Sequence, residues 1–276
     1  MKKYTSVFGM IVRHSFFQII MIMIGMVFVE VYLFLNAIHK MLMQHGGFSF
    51  GLESDASMKL LSPMDTNAMQ EMLAEFEAYP IINFELAIEN SHIMWIFFLA
   101  MLLITVSCCM TGCHFGSHQG YTLQRLQIKE KHIFLLQFIY NTLCYVILWS
   151  IQIIVIYVLG TYYVNHMVGT TNQTIFLAFY RNAFLHNLFP MEEWLKWGKL
   201  IASILGLGIL SAVFPYKQRN GKFGVEIVIM LAIICIWFPS KMANYYVDAL
   251  VIVWAVGLIA IICWQIWYRE KEVKKE

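Results

Sequence analysis

The chain has 276 residues, of which 60% are hydrophobic and 13% charged, and its formal net charge is +2. This composition is too apolar for an ordinary soluble domain. We therefore expect most of the chain to lie in a lipid bilayer, and we expect no nucleic-acid partner.

Six apolar segments approach the length that crosses a membrane, which is about 20 residues for a hydrocarbon core of about 30 Å. They are 16–38, 93–113, 133–157, 200–216, 223–238 and 247–267, of which the fourth and fifth are short. Their apolar runs are continuous, as in transmembrane helices. The sequence predicts an all-α, polytopic membrane protein with six transmembrane helices and a single domain over residues 1–276.

The distribution of Lys and Arg predicts that both termini are cytoplasmic. With that orientation, 13 of the 19 basic residues fall on the inner side. They are Lys2, Lys3, Arg13, Arg125, Lys129, Lys131, Lys217, Arg219, Lys222, Arg269, Lys271, Lys274 and Lys275. Residues 1–15 mix apolar and basic side chains, which is typical of an interfacial helix. We expect the first span to act as an uncleaved signal anchor.

Glu30 stands about two-thirds of the way across the first span at 1.5 Å per residue. No Lys or Arg lies at a comparable depth. An acid at mid-helix costs about 2.5–3.5 kcal/mol on insertion scales, so it should face a cavity or a partner helix. Two interpretations stay open: the side chain lines a cavity, or it forms a hydrogen bond for helix packing.

The first outer loop, 46–92, is acidic and contains a predicted amphipathic helix. The loop has eight Asp and Glu residues against Lys59 alone. A helix starts near Pro63 and ends near Pro80, with Met and Leu side chains at helical spacing. The acidic loop would attract a cationic substrate, or its composition reflects only the avoidance of Lys and Arg in translocated loops.

The inner loop 114–132 is short, basic and amphipathic. Before it, Cys109, Cys113, His114 and His118 would fit one helical face as metal ligands. The alternative is that they are packing residues and interfacial polar groups, and we expect no metal and no cofactor.

The third span carries polar side chains on one stripe, because Gln137, Asn141, Tyr145 and Gln152 recur at helical spacing. Such a stripe joins neighbouring helices or lines a translocation path. After this span, residues 174–189 are aromatic but too short to cross, and they predict an interfacial helix.

The stretch from 114 to 157, HFGSHQGYTLQRLQIKEKHIFLLQFIYNTLCYVILWSIQIIVIY, resembles the permease subunit of ATP-binding-cassette (ABC) transporters of the type-2 export class. In that family, a turn, a Leu-rich helix and basic residues between the second and third spans form a coupling helix. The resemblance implies that this helix docks into a groove of the ATPase. The residues that would couple to the ATPase are Gly120, Tyr121, Leu123, Arg125, Leu126, Ile128 and Lys129.

The resemblance also implies an N-terminal elbow helix over residues 1–15 and dimerisation with a second copy or a paralogous permease. Its implied function is the export of an amphipathic compound or peptide through the cell membrane of a bacterium. ATP would be bound by a separate ATPase subunit, since the chain has no phosphate-loop motif. Two alternatives remain: a membrane enzyme that uses His39, His92 and the acidic loop, or a scaffold or sensor that transports nothing.

Overall fold

A computed structural model describes residues 2–44, 84–111, 130–166, 172–191, 193–219, 224–238 and 245–273. These residues form helices joined by short turns, with no strand among them. The helices are α1 (Lys2–Gln44), α2 (Phe84–Asn90), α3 (Ile93–Met110), α4 (Glu130–His166), α5 (Asn172–Arg181), α6 (Ala183–Leu188), α7 (Trp194–Arg219), α8 (Glu226–Trp237) and α9 (Tyr245–Val273). The predicted all-α fold is confirmed for these residues.

The long helix α1 is buried on one face only. Residues spaced three or four apart face the interior, as expected for one stripe of a helix. They are Ser15, Ile19, Met23, Met26, Glu30, Phe34, Ile38 and Met41. The opposite face is apolar and exposed, with Phe17, Met21, Phe28 and Tyr32 about 70% accessible. A helix with apolar residues on both faces is suited to protein contacts on one side and lipid on the other.

Six of the helices alternate in direction, so that α1, α4 and α8 run one way and α3, α7 and α9 the other. The contacts that fix these directions are Gln18–Ser107, Thr111–Gln137, Asn141–Ser211, Lys217–Glu226 and Lys199–Asp248. The start of α1, the end of α3, the start of α4 and the end of α7 therefore meet at one end. We call it the N-terminal end, and the opposite one the far end.

Helices α4 and α7 form the centre of the bundle. Helix α4 also packs against α1 and α3, whereas α7 also packs against α3, α8 and α9. The central pair approaches closely at Gly208, where a Cβ would lie 2.2 Å from Thr142 Oγ1 and 3.1 Å from Thr142 Cα. At Gly206 a Cβ would meet only the flexible end of Met230, with its Cε at 2.8 Å. Gly208 therefore sets the distance between the two helices.

Four stretches are long and apolar enough to cross a membrane: Ser15–Met41, Ile93–Met110, Lys131–His166 and Trp194–Gln218. The fourth extends further than the predicted 200–216, because α7 continues through Pro215 to Arg219. The fifth predicted span corresponds to α8, which has 12 residues and is about 18 Å long at 1.5 Å per residue. Helix α1 is continuous from Lys2, so residues 2–15 extend the helix of the first span and are not separated from it.

The aromatic segment 174–189, predicted as one helix, corresponds to two short helices, α5 and α6. Asn182 divides them: its side-chain oxygen accepts hydrogen bonds from the backbone amides of Phe184 at 3.0 Å and Leu185 at 3.2 Å. This is the usual arrangement of a helix N-cap. The predicted amphipathic helix near 63–80 lies outside the described residues.

Candidate functional site

The polar face of α4 is buried and forms hydrogen bonds with two neighbouring helices. Gln137 Nε2 donates to the carbonyl of Thr111 at 2.8 Å, at the end of α3. Asn141 Nδ2 donates to Ser211 Oγ of α7 at 2.9 Å, and that hydroxyl donates to the carbonyl of Gly208. These contacts tie α4 to α3 and α7, and polar contacts between membrane helices contribute about 0.6 kcal/mol each on average.

Two tyrosines continue this polar face. Tyr145 is fully buried, and its hydroxyl donates to Thr105 Oγ1 of α3 at 2.8 Å. Near the start of α4, the Tyr140 hydroxyl accepts a hydrogen bond from Ser15 Oγ of α1 at 2.8 Å. The described hydrogen bonds account for Gln137, Asn141 and Tyr145 as contacts between helices. That these side chains also line a translocation path stays a prediction.

Glu30 and Gln152 meet inside the bundle, from α1 and α4 respectively. Both side chains are fully buried. Gln152 is close enough to act on the Glu30 carboxyl, yet neither Glu30 oxygen and neither polar atom of Gln152 has a hydrogen bond of good geometry among the described residues. The structure therefore brings together two of the predicted polar residues as a pair that the packing of the helices does not satisfy.

A second group of charged residues lies at the far end of the bundle. Lys199 Nζ of α7 is 2.5 Å from Asp248 Oδ1 of α9, and each side chain is only 2% exposed. The same ammonium lies 3.1 Å from the centre of the Trp237 ring at the end of α8, so that it interacts with a carboxylate and an aromatic face. This arrangement joins three helices around one buried cation.

Around this ion pair, Lys196 Nζ is 3.1 Å from Glu193 Oε2, and His186 Nε2 is 3.9 Å from Glu193 Oε1. Burial lowers the pKa of His186 below its ordinary value of 6.5, and the positive charge of Lys196 lowers it further. His186 is therefore a neutral imidazole at neutral pH. Because each of the two lysines is paired with a carboxylate, the cluster is balanced in charge.

The predicted coupling residues, Gly120, Tyr121, Leu123, Arg125, Leu126, Ile128 and Lys129, lie outside the described residues. Cys113, His114 and His118 do so as well, whereas Cys109 is buried in α3. His39 is exposed on α1, and His92 immediately precedes α3 with a left-handed backbone φ of 54°. The candidate site that the structure describes therefore consists of the buried polar residues along α4 and the charged residues at the far end of the bundle.

The buried ion pair was not predicted from the sequence, because Lys199 is among the basic residues expected outside the membrane and Asp248 lies at the start of the apolar segment 247–267. The available signal is positional: each residue lies within two turns of the start of its helix. Since α7 and α9 run in parallel, a cation and an anion at similar depths face each other.

Compared with models of protein families, with curated proteins and with solved structures, the chain matches none.

Proposed function

We propose that the chain is the membrane subunit of an ABC transporter, which exports an amphipathic compound or peptide with energy from a separate ATPase subunit. The observation that carries the proposal is the position of the two helix ends that flank the loop 114–132, which resembles the coupling helix of ABC permeases. The end of α3 and the start of α4, which residues 112–129 connect in the sequence, lie together at the N-terminal end of the bundle. A partner that binds this loop contacts two helices of the bundle interior at once.

The charge at the N-terminal end supports the same proposal. The parts of the described helices that lie at this end carry eight Lys and Arg residues. They are Lys2, Lys3, Arg13, Lys131, Lys217, Arg219, Arg269 and Lys271. Acids at this end are fewer, namely Glu130, Glu226, Glu270 and Glu272. An excess of basic residues is typical of the cytoplasmic side, where an ATPase would bind.

In this proposal, all six alternating helices cross or enter the cell membrane, and both termini are cytoplasmic. Helix α1 extends about 13 residues before its apolar stretch begins at Ser15, and the proposal assigns the role of the interfacial elbow to this extension, although it is continuous with the first span. The exposed apolar face of α1 is available to lipid or to a second permease, either an identical copy or a paralogue. The chain itself performs no ATP hydrolysis.

The proposal is tested by changing the apolar positions of the coupling loop. Leu123→Asp with Leu126→Asp places two charges where a docking site needs apolar anchors. We expect the variant to insert normally but to lose the ATPase activity that co-purifies with the tagged chain from its own membranes. The matched control, Gln124→Asp with Gln127→Asp, adds the same charge at polar positions of the loop and should retain the partner. ATP hydrolysis at the wild-type level with the Leu variant contradicts the assignment.

A further inference from the structure

Glu30 is buried within the apolar stretch of α1, and no described residue supplies it with a counter-ion. It lies 15 residues beyond Ser15 and 11 before Met41, the bounds of the apolar stretch, or about 22 Å and about 16 Å along the helix. Within the described residues, Gln152 is the one side chain that acts on its carboxyl group. The carboxyl is therefore surrounded by protein and apolar groups on the side where α1 meets its neighbours.

The titratable groups on the helices packed against α1 do not supply a charge to Glu30. Those with described side chains are Glu85 and Glu89 on α2, Cys108 and Cys109 on α3, and Lys131, His132, Tyr140, Cys144, Tyr145, Tyr157, Tyr162, Tyr163 and His166 on α4. Lysine and arginine are absent from α2 and α3, and Lys131 lies 21 residues before Gln152, at the N-terminal end of α4. An ionised carboxylate here would lose its hydration without a charge in return.

Aromatic side chains pack beyond the Glu30–Gln152 pair, towards the far end of the bundle. The rings of Phe34 and Phe84 are 5.8 Å apart, and those of Phe84 and Tyr163 are 5.4 Å apart. All three side chains are at most 1% exposed, and Phe34 is one turn beyond Glu30 on α1. On this side, the described surroundings of Glu30 are therefore apolar and buried.

The chemistry of the four atoms without a partner favours a neutral acid. An ionised Glu30 has no donor, so it would leave Gln152 Oε1 unsatisfied. A protonated Glu30 would be able to donate its O–H to Gln152 Oε1 and to accept from Gln152 Nε2 with its carbonyl oxygen, so that all three oxygens and the nitrogen would gain a partner. A hard metal cation takes six or more oxygens, whereas Glu30 and Gln152 offer three.

We propose that Glu30 and Gln152 form a proton-binding site, in which Glu30 is a carboxylic acid that shares its proton with Gln152. The site does not depend on the permease assignment. Any movement that separates α1 from α4 removes the acceptor and admits water, to which the proton passes as the carboxylate becomes hydrated. By linkage, such a movement is coupled to the uptake or release of one proton.

Infrared spectroscopy of the full chain in lipid vesicles tests the proposal. Subtracting the spectrum of Glu30→Gln from that of the wild-type protein at about pH 7 should reveal the C=O band of one protonated carboxyl. The matched control, Glu89→Gln, changes an exposed acid on α2 and should remove carboxylate bands instead. Gln152→Leu should move the Glu30 band to higher frequency, because the acid loses its acceptor.

A second measurement needs no variant. A hydrophobic carbodiimide reacts with protonated carboxyls in apolar surroundings, and mass spectrometry then locates the modified residue. Modification of Glu30 should fall as the pH is raised and be independent of Na⁺. The proposal is overturned if Glu30→Gln removes only carboxylate bands, or if Na⁺ protects Glu30 from the reagent, which indicates a cation site.

Discussion

Lys199 of α7 and Asp248 of α9 form an ion pair with 2.5 Å between Nζ and Oδ1, in a position where each side chain is almost completely buried. Trp237 of α8 lies against the same ammonium, with its ring centre 3.1 Å away. Such a pair gains little over an apolar contact, but its separate charges are costly in the interior. The ion pair therefore makes the packing of α9 on α7 sensitive to the loss of either partner alone.

Replacing one partner of this pair should be more harmful than replacing both. Asp248→Asn leaves Lys199 as an unpaired buried cation, and we expect a loss of about 3–5 kcal/mol in the free energy of unfolding. The double change Lys199→Met with Asp248→Leu should recover most of this loss. Thermal unfolding in detergent measures both, with Lys40→Met, an exposed lysine on α1, as the control. Equal losses in the single and double variants contradict the explanation.

The close contact between α4 and α7 predicts that Gly208→Ala lowers the stability, whereas Gly25→Ala on α1 does not. Gly208→Ala places a Cβ against the backbone and hydroxyl of Thr142, and overpacking of this kind costs about 1–3 kcal/mol. Gly25→Ala is the matched control, since a Cβ there meets nothing within 4 Å and alanine favours a helix by up to about 1 kcal/mol. Thermal unfolding should therefore move in opposite directions. If Gly208→Ala does not lower the midpoint of thermal unfolding, α4 and α7 are further apart at this position than the structure shows.

The helices and the polar residues could be predicted from the sequence because both depend on local information. Apolar runs of about 20 residues predict helices that cross a bilayer, and polar side chains at Gln137, Asn141 and Tyr145 share a stripe by helical spacing alone. Their partners could not be predicted. The meeting of Glu30 with Gln152 depends on which helices are neighbours and on their relative depth, and a single sequence does not specify either.

The charged residues at helix ends show a second reason why some contacts could not be predicted from the sequence. Lys199 is expected outside the membrane because a cation is costly in an apolar environment. The structure places it inside α7, since Asp248 and Trp237 together compensate for the burial. The exception arises from contacts between three helices that are distant in the sequence, so hydropathy along the chain does not reveal it.

The pKa of His186 predicts a stability that depends on pH. Burial and Lys196 lower this pKa in the folded state below 6.5, the ordinary value that we assume for the unfolded chain. Above 6.5 the imidazole is neutral in both states, and the full stability is present. As the pH falls below 6.5, the unfolded chain binds a proton that the folded state resists, so stability is lost.

We expect the midpoint of thermal unfolding to fall between about pH 7 and about pH 5, and His186→Gln to reduce this fall. Comparison with His39→Gln, which changes an exposed histidine on α1, separates the effect from general acid sensitivity. An unchanged pH dependence in His186→Gln argues against the burial of this imidazole.

The arrangement of the helices predicts which positions share one side of the membrane. Residue 125 lies in the segment between α3 and α4, residue 220 follows α7, and residue 272 is in the last turn of α9. The helix ends next to all three positions lie at the N-terminal end, because the helices alternate in direction, and we therefore expect these positions on the same side of the membrane. Residue 60 is between α1 and α2 in the sequence, and the end of α1 that precedes it lies at the far end, so we expect residue 60 on the opposite side. The excess of basic residues at the N-terminal end predicts that this end is cytoplasmic.

Single cysteines at these four positions, introduced into a chain without its native cysteines, test two statements by separate outcomes. The first is that residues 125, 220 and 272 share one side of the membrane, and the second is that this side is cytoplasmic. In intact cells, an impermeant maleimide should label position 60, and it should label 125, 220 and 272 only after permeabilisation. Labelling of all three, but not of 60, would keep the bundle and reverse its orientation, which removes the cytoplasmic ATPase site. Labelling of 220 without 125 would contradict the alternating bundle itself, because the ends of α3 and α7 would then lie on opposite sides.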